Sequence, residues 1–487
     1  MTRRFVISAL AAVATVLAAS ASPAAPVFQA GAHAQDISPT HFPTPVNGSL
    51  KGGFAKGITD PIHARCLALQ DGSNAMILVV VDACMIPQDI CVKAKALASA
   101  KTGVPVNRML ISATHTHSSA TLASVFQSDP DPAYIAALPE RIAASLITAY
   151  QNLEPAEGGW AMGEDATQVF NRRWLVKEGA SYENPFDGMA DRAWMNPGVG
   201  NAKVSGPTGP VDPQVAVFAV RSAADKRPLA VLANYSLHYV GGNPAISADY
   251  FAAFANELSH QLDAGDQRYQ NKPPFVGIMS NGTSGNINNI NFGATVPAGR
   301  LRAGQRIQEV AASVAGATMK AYGAIPWKKD LTLDSREEVL QLDVRKATGD
   351  ELVRARNILE TVPKDKDGQW ADRKAIYARE AVLLDAYPDK VPVKLQAHRI
   401  GDLAITSIPC EVFVEIGLDL KKTNPFKGSF TISLANGYNG YLPTTEQHAM
   451  GGYETWRARS SYLEVPAADK ISASLKAMLA SLKKDAS

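Results

Sequence analysis

A chain of 487 residues that is 46% hydrophobic and only 19% charged can bury one large core or two medium ones, which excludes a disordered protein. With 48 Lys and Arg against 46 Asp and Glu the formal charge is +2, and no basic run is present to contact phosphates, so nucleic acid is not an expected partner. Cys66, Cys84, Cys91 and Cys410 are too few for a disulfide scaffold, and without a Cys-x-x-Cys pair a thiolate zinc site is disfavoured; one bridge, Cys84 to Cys91, stays open.

At the start of the chain Arg3-Arg4 precede an Ala-rich apolar run from Phe5 to Ala19, then two small-residue exits, Ala19-Ser20-Ala21 and Ala32-His33-Ala34. A basic head, a short apolar run and such an exit describe a secretory signal peptide, placed over residues 1–34, and hence a protein exported to the periplasm or beyond. Thr2-Arg3-Arg4-Phe5 leaves export by a twin-arginine route open. The run is short for a membrane anchor, and no later segment is apolar enough to span a bilayer.

Residues 35–60, rich in Pro, Gly and Thr, read as an extended entry segment. Strands are predicted over 62–70 and 76–83, joined by a turn at Asp71-Gly72-Ser73; the second is a β-branched run that suits a strand buried on both faces. It ends at Asp82, which reads equally as a cap on the next helix or as support for a site. A helix over 88–102 leads to a strand over 108–113, which runs into His115-Thr116-His117. If strand geometry carries through, residues two apart share a face, and both imidazoles address one spot. Alone, this His-x-His leaves a metal site, an acid–base pair and an exposed turn all open.

An amphipathic helix follows over 131–151, then a loop-dominated region over 153–212 that holds Phe170-Asn171-Arg172-Arg173-Trp174. Strands over 213–221 and 228–238 come next, the second ending in His238. A helix over 247–262 carries Asp249 near its start, read as a cap, with support for a site as the alternative. The strand over 274–280 enters an Asn- and Gly-rich loop, 281–291, and a helix is predicted over 298–322. Residues 345–387 carry charges at helical spacing and read as a solvated helical hairpin broken at Pro363-Lys364-Asp365-Lys366-Asp367-Gly368. A strand over 393–408 ends at Pro409-Cys410-Glu411, a strand over 429–436 delivers Asn436 to Tyr441, and a helix over 467–483 closes the chain. His63, His260, His398 and His448 have no motif around them. The pattern is that of an α/β protein, with mixed β-sheets in the centre and helices packed outside, forming one compact catalytic domain over 35–487.

Separate strands thus end in His115 and His117, His238, Glu411 and Tyr441. Sites in open α/β sheets gather beyond the carboxyl ends of strands, and two imidazoles, a carboxylate and water suit zinc. The order Thr114-His115-Thr116-His117-Ser118, Phe170-Asn171-Arg172, His238, Pro409-Cys410-Glu411, then Tyr441 and Tyr453 twelve residues apart, resembles the neutral ceramidases over about residues 50 to 470. The resemblance implies an enzyme that cleaves an N-acyl amide bond, in ceramide or a related N-acyl lipid, with Zn2+ as cofactor. It implies His115, His238, Glu411 and Tyr441 as zinc ligands, and His117 as the histidine that handles the proton of the attacking water or leaving amine. Arg172 and Tyr453 would bind and polarise the substrate carbonyl.

The family's Gly-Asp-x-Ser-Pro loop falls here on Gly285-Asn286-Ile287-Asn288-Asn289, so its serine position is Asn288, with Ser284 nearby; both are candidate substrate contacts. Attack by zinc-activated water is therefore expected in place of a covalent serine route. A small-molecule or lipid substrate is expected, with peripheral membrane contact and oligomeric state open. One alternative keeps the metal and acts on a carbohydrate or ester; a second is a secreted binding protein without turnover.

Overall fold

The computed structural model describes residues 27–485, apart from 73, 187–189, 244, 296–301 and 303. Residues 1–26 of the leader expected over 1–34, and most of the expected first residues of the helix at 298, lie outside the described residues.

The larger sheet is built from β1 (Gln29–Asp36), β2 (His63–Gln70), β3 (Ala75–Val81), β4 (Met109–Ala113), β5 (Glu154–Glu164), β6 (Gln214–Ser222), β7 (Pro228–Tyr235) and β8 (Val276–Asn281). Their spatial order is β8-β7-β6-β5-β1-β2-β3-β4, antiparallel except for the parallel pairs β7–β8 and β3–β4 at its two edges. The smaller sheet runs β9 (Leu333–Asp343), β10 (Lys390–Ile400), β11 (Leu403–Ser407) and β12 (Gly428–Ile432), with β11–β12 parallel.

The two sheets face each other. On β3 the side chains alternate: Leu78 and Val80 join Ile405, Phe430 and Ile432 of the smaller sheet in one core, while Ile77 and Val79 pack the other way with Ile90, Leu138 and Ile142. Helices α1 (Gln88–Thr102) and α2 (Pro132–Gln151) cover that outer face at one end, and α3 (Asp249–Gln261) and α4 (Gln305–Tyr322) at the other. Beyond the smaller sheet lie α7 (Val414–Thr423) and α9 (Ala467–Lys484), with Ile471, Leu475 and Leu479 against Val393 and Leu395. The result is helix, sheet, sheet, helix, as expected of mixed central sheets with helices outside. The predicted hairpin is present as α5 (Gly349–Thr361) and α6 (Arg373–Asp385), but only α5 is largely solvated, since α6 buries Ile376, Tyr377 and Leu384 in the body, and the short helix α8 (Thr445–Ala449) precedes the last stretch. Among the described residues no helix is long and apolar enough to cross a membrane.

Several expectations are corrected. Residues 154–164, read as loop, form a full strand in the middle of the larger sheet. Its sequence lacks β-branched residues because the neighbours leave no room: a Cβ on Gly159 would lie 2.4 Å from Ile325 Cγ2, and one on Gly163 2.8 Å from the Ala317 carbonyl. Gly159→Ala should therefore cost about 1–3 kcal/mol of stability, read from denaturant unfolding. The stretch 393–408 is two strands folded at Gly401-Asp402, and β9 was not foreseen.

Residues 29–36 form β1, paired along its whole length with β2, and Ala30 and Ala32 enter the core between the sheets. A leader ending at 34 would remove most of that strand; the exit after Ala21 leaves it whole. The cysteines are all buried and unpaired, so Cys84 and Cys91 are not bridged. Asp82 caps no helix: it is fully buried, pairs with Arg65 and accepts the His63 N–H at 2.8 Å.

Candidate metal centre

The ends of both sheets meet at one place. Beyond β4, the Ala113 N–H donates to the Leu434 carbonyl and Asn436 N–H to that of Ile111, which stitches the edge of the larger sheet to the segment after β12. Asn281, at the end of β8, donates its side-chain N–H to the Thr114 carbonyl. Strand geometry does not carry through into the histidines. The strand stops at Ala113, and His115 takes the left-handed conformation, φ 73°, held by its N–H on the Ala83 carbonyl. The imidazoles of His115 and His117 still converge, with their Nε2 atoms 3.1 Å apart, because that turn redirects His115.

His238, three residues past β7, brings its Nε2 to 3.0 Å from that of His115. Glu411, delivered after β11 in a short parallel pairing with Tyr441, places Oε2 3.2 Å from His115 Nε2. His115, His238 and Glu411 are 2%, 1% and 4% exposed, and one ligand atom from each lies within 4.8 Å of the others. Four-coordinate zinc with bonds of about 2.0–2.2 Å separates its ligand atoms by roughly 3.3 Å, close to these spacings.

The hydrogen bonds around the imidazoles fix where their lone pairs point. His115 Nδ1 donates to the Cys84 carbonyl at 2.6 Å, and His238 Nδ1 to the Ser284 carbonyl at 3.2 Å. In each neutral ring Nε2 is then an acceptor, and the two acceptors face each other and a carboxylate oxygen that is buried and receives no hydrogen bond. A single cation would satisfy all three atoms at once. Backbone carbonyls on the second nitrogen are also what orients metal-binding histidines. With no cation, a proton takes that place: burial lowers the His115 imidazole, but Glu411 and Cys84 outweigh it and raise it to about 10. Burial works against the Glu411 charge, and His115 and Arg172 bring its carboxyl below the ordinary range.

The remaining expected residues divide. Tyr441 hydroxyl accepts from Arg172 Nη2 at 3.1 Å; burial, then the nearby Glu411 charge, hold the phenol well above its usual range, so only a bound cation would make it a phenolate. His117 stacks on Tyr239, with ring centroids 3.7 Å apart, and its Nδ1 has no partner. Arg172 is held from behind by Glu454 at 3.0 Å and the Gly285 carbonyl at 2.7 Å, and turns Nη1 toward His238 Nε2 at 3.2 Å. Tyr453 lines the cavity with its ring 5.9 Å from that of Tyr441, and burial keeps it a neutral O–H donor.

Two candidates are not brought to the cavity. Asn288 pairs with Phe170 in a short ladder, and its amide is spent on Asn196 Oδ1 and the Ile290 N–H. The Ser284 hydroxyl donates to Asn281 Oδ1 at 2.7 Å, so this residue serves through its carbonyl on His238. Asp249 is not the cap of α3, whose N-terminus at Ala248 has no side-chain cap: its carboxylate accepts the Val240 and Gly241 N–H groups at 3.0 and 2.7 Å, which pins the turn that follows His238 and Tyr239.

Sequence reasoning passed over several residues here. Cys84 follows β3, the parallel neighbour of β4, and its Sγ lies 3.8 Å from His115 Nδ1; the matching strand ends were the available signal. Tyr438 donates to Glu411 Oε1 at 2.9 Å. Glu454, fully buried, joins Arg172 to Arg173. The cavity over the ligands measures about 30 Å³, and its walls include Gly48, Ser49, Val125, Phe126 and Tyr453. It holds an ion's water or a group of a few atoms, against the roughly 300–1,000 Å³ usual for ligand pockets.

This is an α/β protein with a buried His-His-Glu group able to hold a metal ion. Its fold is the neutral ceramidase fold. The chain superimposes on neutral ceramidase from Pseudomonas aeruginosa with a TM-score of 0.69 at 17% identity, over 94% of this chain and 75% of that one. A ceramidase complexed with C2 gives 0.68 at 17% identity, over 94% and 76%. No protein-family profile and no curated protein matches the chain by sequence.

Proposed function

We propose that the protein is an exported, zinc-dependent hydrolase that cleaves an N-acyl amide bond. The observation that carries this is the mutual approach of His115 Nε2, His238 Nε2 and the unpartnered Glu411 Oε2, on a fold shared with neutral ceramidases. His115, His238 and Glu411 would hold the ion, with Tyr441 as a fourth donor. Zinc, when bound, supplies Lewis acidity and lowers the pKa of a coordinated water to near neutrality.

The chain's own residues do the rest. His117 Nε2 stands beside the ligands and exchanges the proton of the attacking water and the leaving amine. Tyr453, neutral in its buried setting, donates to the carbonyl oxygen as it gains charge, and Arg172 adds a fixed positive charge behind Tyr441. The hydroxyl of Ser284 is spent on Asn281, which supports water over a serine nucleophile.

The test is release of free amine by the zinc-loaded protein from N-acylated sphingoid bases and simpler N-acyl amines, alongside esters and polysaccharide fragments. Turnover of the amides is expected; turnover confined to saccharides or esters would transfer the site to that chemistry. For export, a mature N-terminus shortly after Ala21, with β1 kept, is the expected result of sequencing the secreted protein.

A further inference from the structure

The hairpin α5–α6 is fastened to both walls of the cavity over the metal ligands. We propose that it is a size-setting cap, which limits the acyl group of the substrate to short chains; the acyl part of this rests on the hydrolase reading above.

Helix α6 is the side that grips the body. It buries Ile376, Tyr377, Glu380 and Leu384, whereas α5 buries only Ala355 and rides outside. Glu380 is fully buried, and both its oxygens are taken by Arg459, at 2.8 Å from Nε and from Nη2. Arg459 spends its other donors on the backbone of one cavity wall: Nη1 on the Ser124 carbonyl and Nη2 on that of Phe126, each at 2.8 Å. Arg379, also on α6, donates to the same Phe126 carbonyl. Phe126 is thereby held at φ 49°, a conformation a bulky residue rarely adopts, with its ring between Tyr453 and Tyr377, at centroid distances of 6.4 and 5.8 Å.

The connection between the two helices holds the opposite wall. Gln127 donates to the carbonyls of Leu50 and Trp370 and accepts the Trp370 N–H at 2.7 Å. Gln369 reaches the Gly52 carbonyl at 3.3 Å. The hairpin also packs on the body through Arg373 to the Glu183 carbonyl, Arg457 to Glu351 and Tyr377 against Phe186, but its contacts to 50–52 and 124–127 hold the two segments that bound the cavity. With both segments fixed, the space over the ligands takes an acetyl-sized group, and a long acyl chain has no place to lie.

The test compares the full zinc-loaded chain with Gln127→Ala, which removes the clasp without touching the core, and with Glu380→Gln, which weakens the anchor. Hydrogen exchange of the amides over 46–52 and 124–128 should quicken by roughly tenfold or more in Gln127→Ala at unchanged melting temperature. Wild type should prefer an N-acetyl over an N-octanoyl derivative of the same amine by roughly tenfold or more in kcat/KM, and either folded variant should erase most of that preference. Unchanged exchange in both variants overturns the cap, whatever the reaction. Equal use of both chain lengths by wild type overturns the size limit. If exchange quickens but no acyl amide of any length is turned over, the cap stands and the hydrolase reading falls.

Discussion

His115→Ala combined with His238→Ala should reduce bound zinc from about one ion per chain to background, with loss of all amide turnover. Each imidazole contributes a lone pair whose direction is set by a backbone carbonyl, Cys84 for one and Ser284 for the other, so neither can be replaced by a neighbour swinging in. Metal analysis after gel filtration reads the result, with circular dichroism to confirm the fold. The single His238→Ala variant adds a discrimination, since Cys84, His115 and His117 form a second cluster that shares His115 with the first. Burial raises the Cys84 thiol, which disfavours the thiolate a metal would need, so His238→Ala alone should already lose the ion. Zinc retained at full affinity in that variant would assign the ion to the cysteine cluster.

The same site has a definite pH response. In the metal-free protein Glu411 and Cys84 raise the His115 imidazole to about 10, so a proton occupies the place of the cation at neutral pH. Zinc must displace it. Uptake should release about one proton per ion from His115 and a second where Tyr441 binds as its phenolate, and affinity should weaken as pH falls and strengthen as it rises toward the raised value. Titration calorimetry in buffers of different ionisation enthalpy measures the proton count; zero release would remove His115 from the ligand set.

How much of this was legible in the sequence depends on what carries the information. Strands and helices with a period were read nearly to the residue, α1 and the closing helix among them, because burial on one face imposes that period. β5 was not, because the pressure there is for absence of side chains against Ile325 and Ala317, and glycines read as loop. The expected strand ends pointed to His115, His238, Glu411 and Tyr441, but their roles as ligands came from the resemblance to neutral ceramidases, and Tyr441 in fact opens a short strand of its own beyond β12. The expected reason for the convergence of His115 and His117 was wrong, since a left-handed turn and not pleat alternation brings them together. The walls of the cavity around Gly48 and Phe126 lie in aperiodic loops whose positions depend on Gln369 and Arg459, far away in the chain. Nothing local marks them.

His117→Ala is the counterpart of the double ligand variant, and the two should separate binding from chemistry. His115 and His238 each have Nδ1 committed to a carbonyl, whereas His117 Nδ1 has no partner. Its ring is held by stacking on Tyr239 and by the backbone of Gly48, where an added Cβ would stand 2.3 Å from His117 Nδ1. That mode of support holds the ring beside the ligands, where it can pass a proton. Burial, followed by the charges of His115 and Arg172, lowers the His117 imidazole well below its usual value, so it stands neutral and ready to accept. His117→Ala should therefore keep its zinc and lose about 10²–10⁴ in kcat, or about 3–5 kcal/mol of transition-state stabilisation. In wild type the acid limb of the kcat–pH profile should fall below the ordinary histidine range, and in the variant that limb should be missing. Loss of zinc to the extent seen in His115→Ala/His238→Ala would make His117 a ligand instead, and the proton would then have to travel through Tyr453 or solvent.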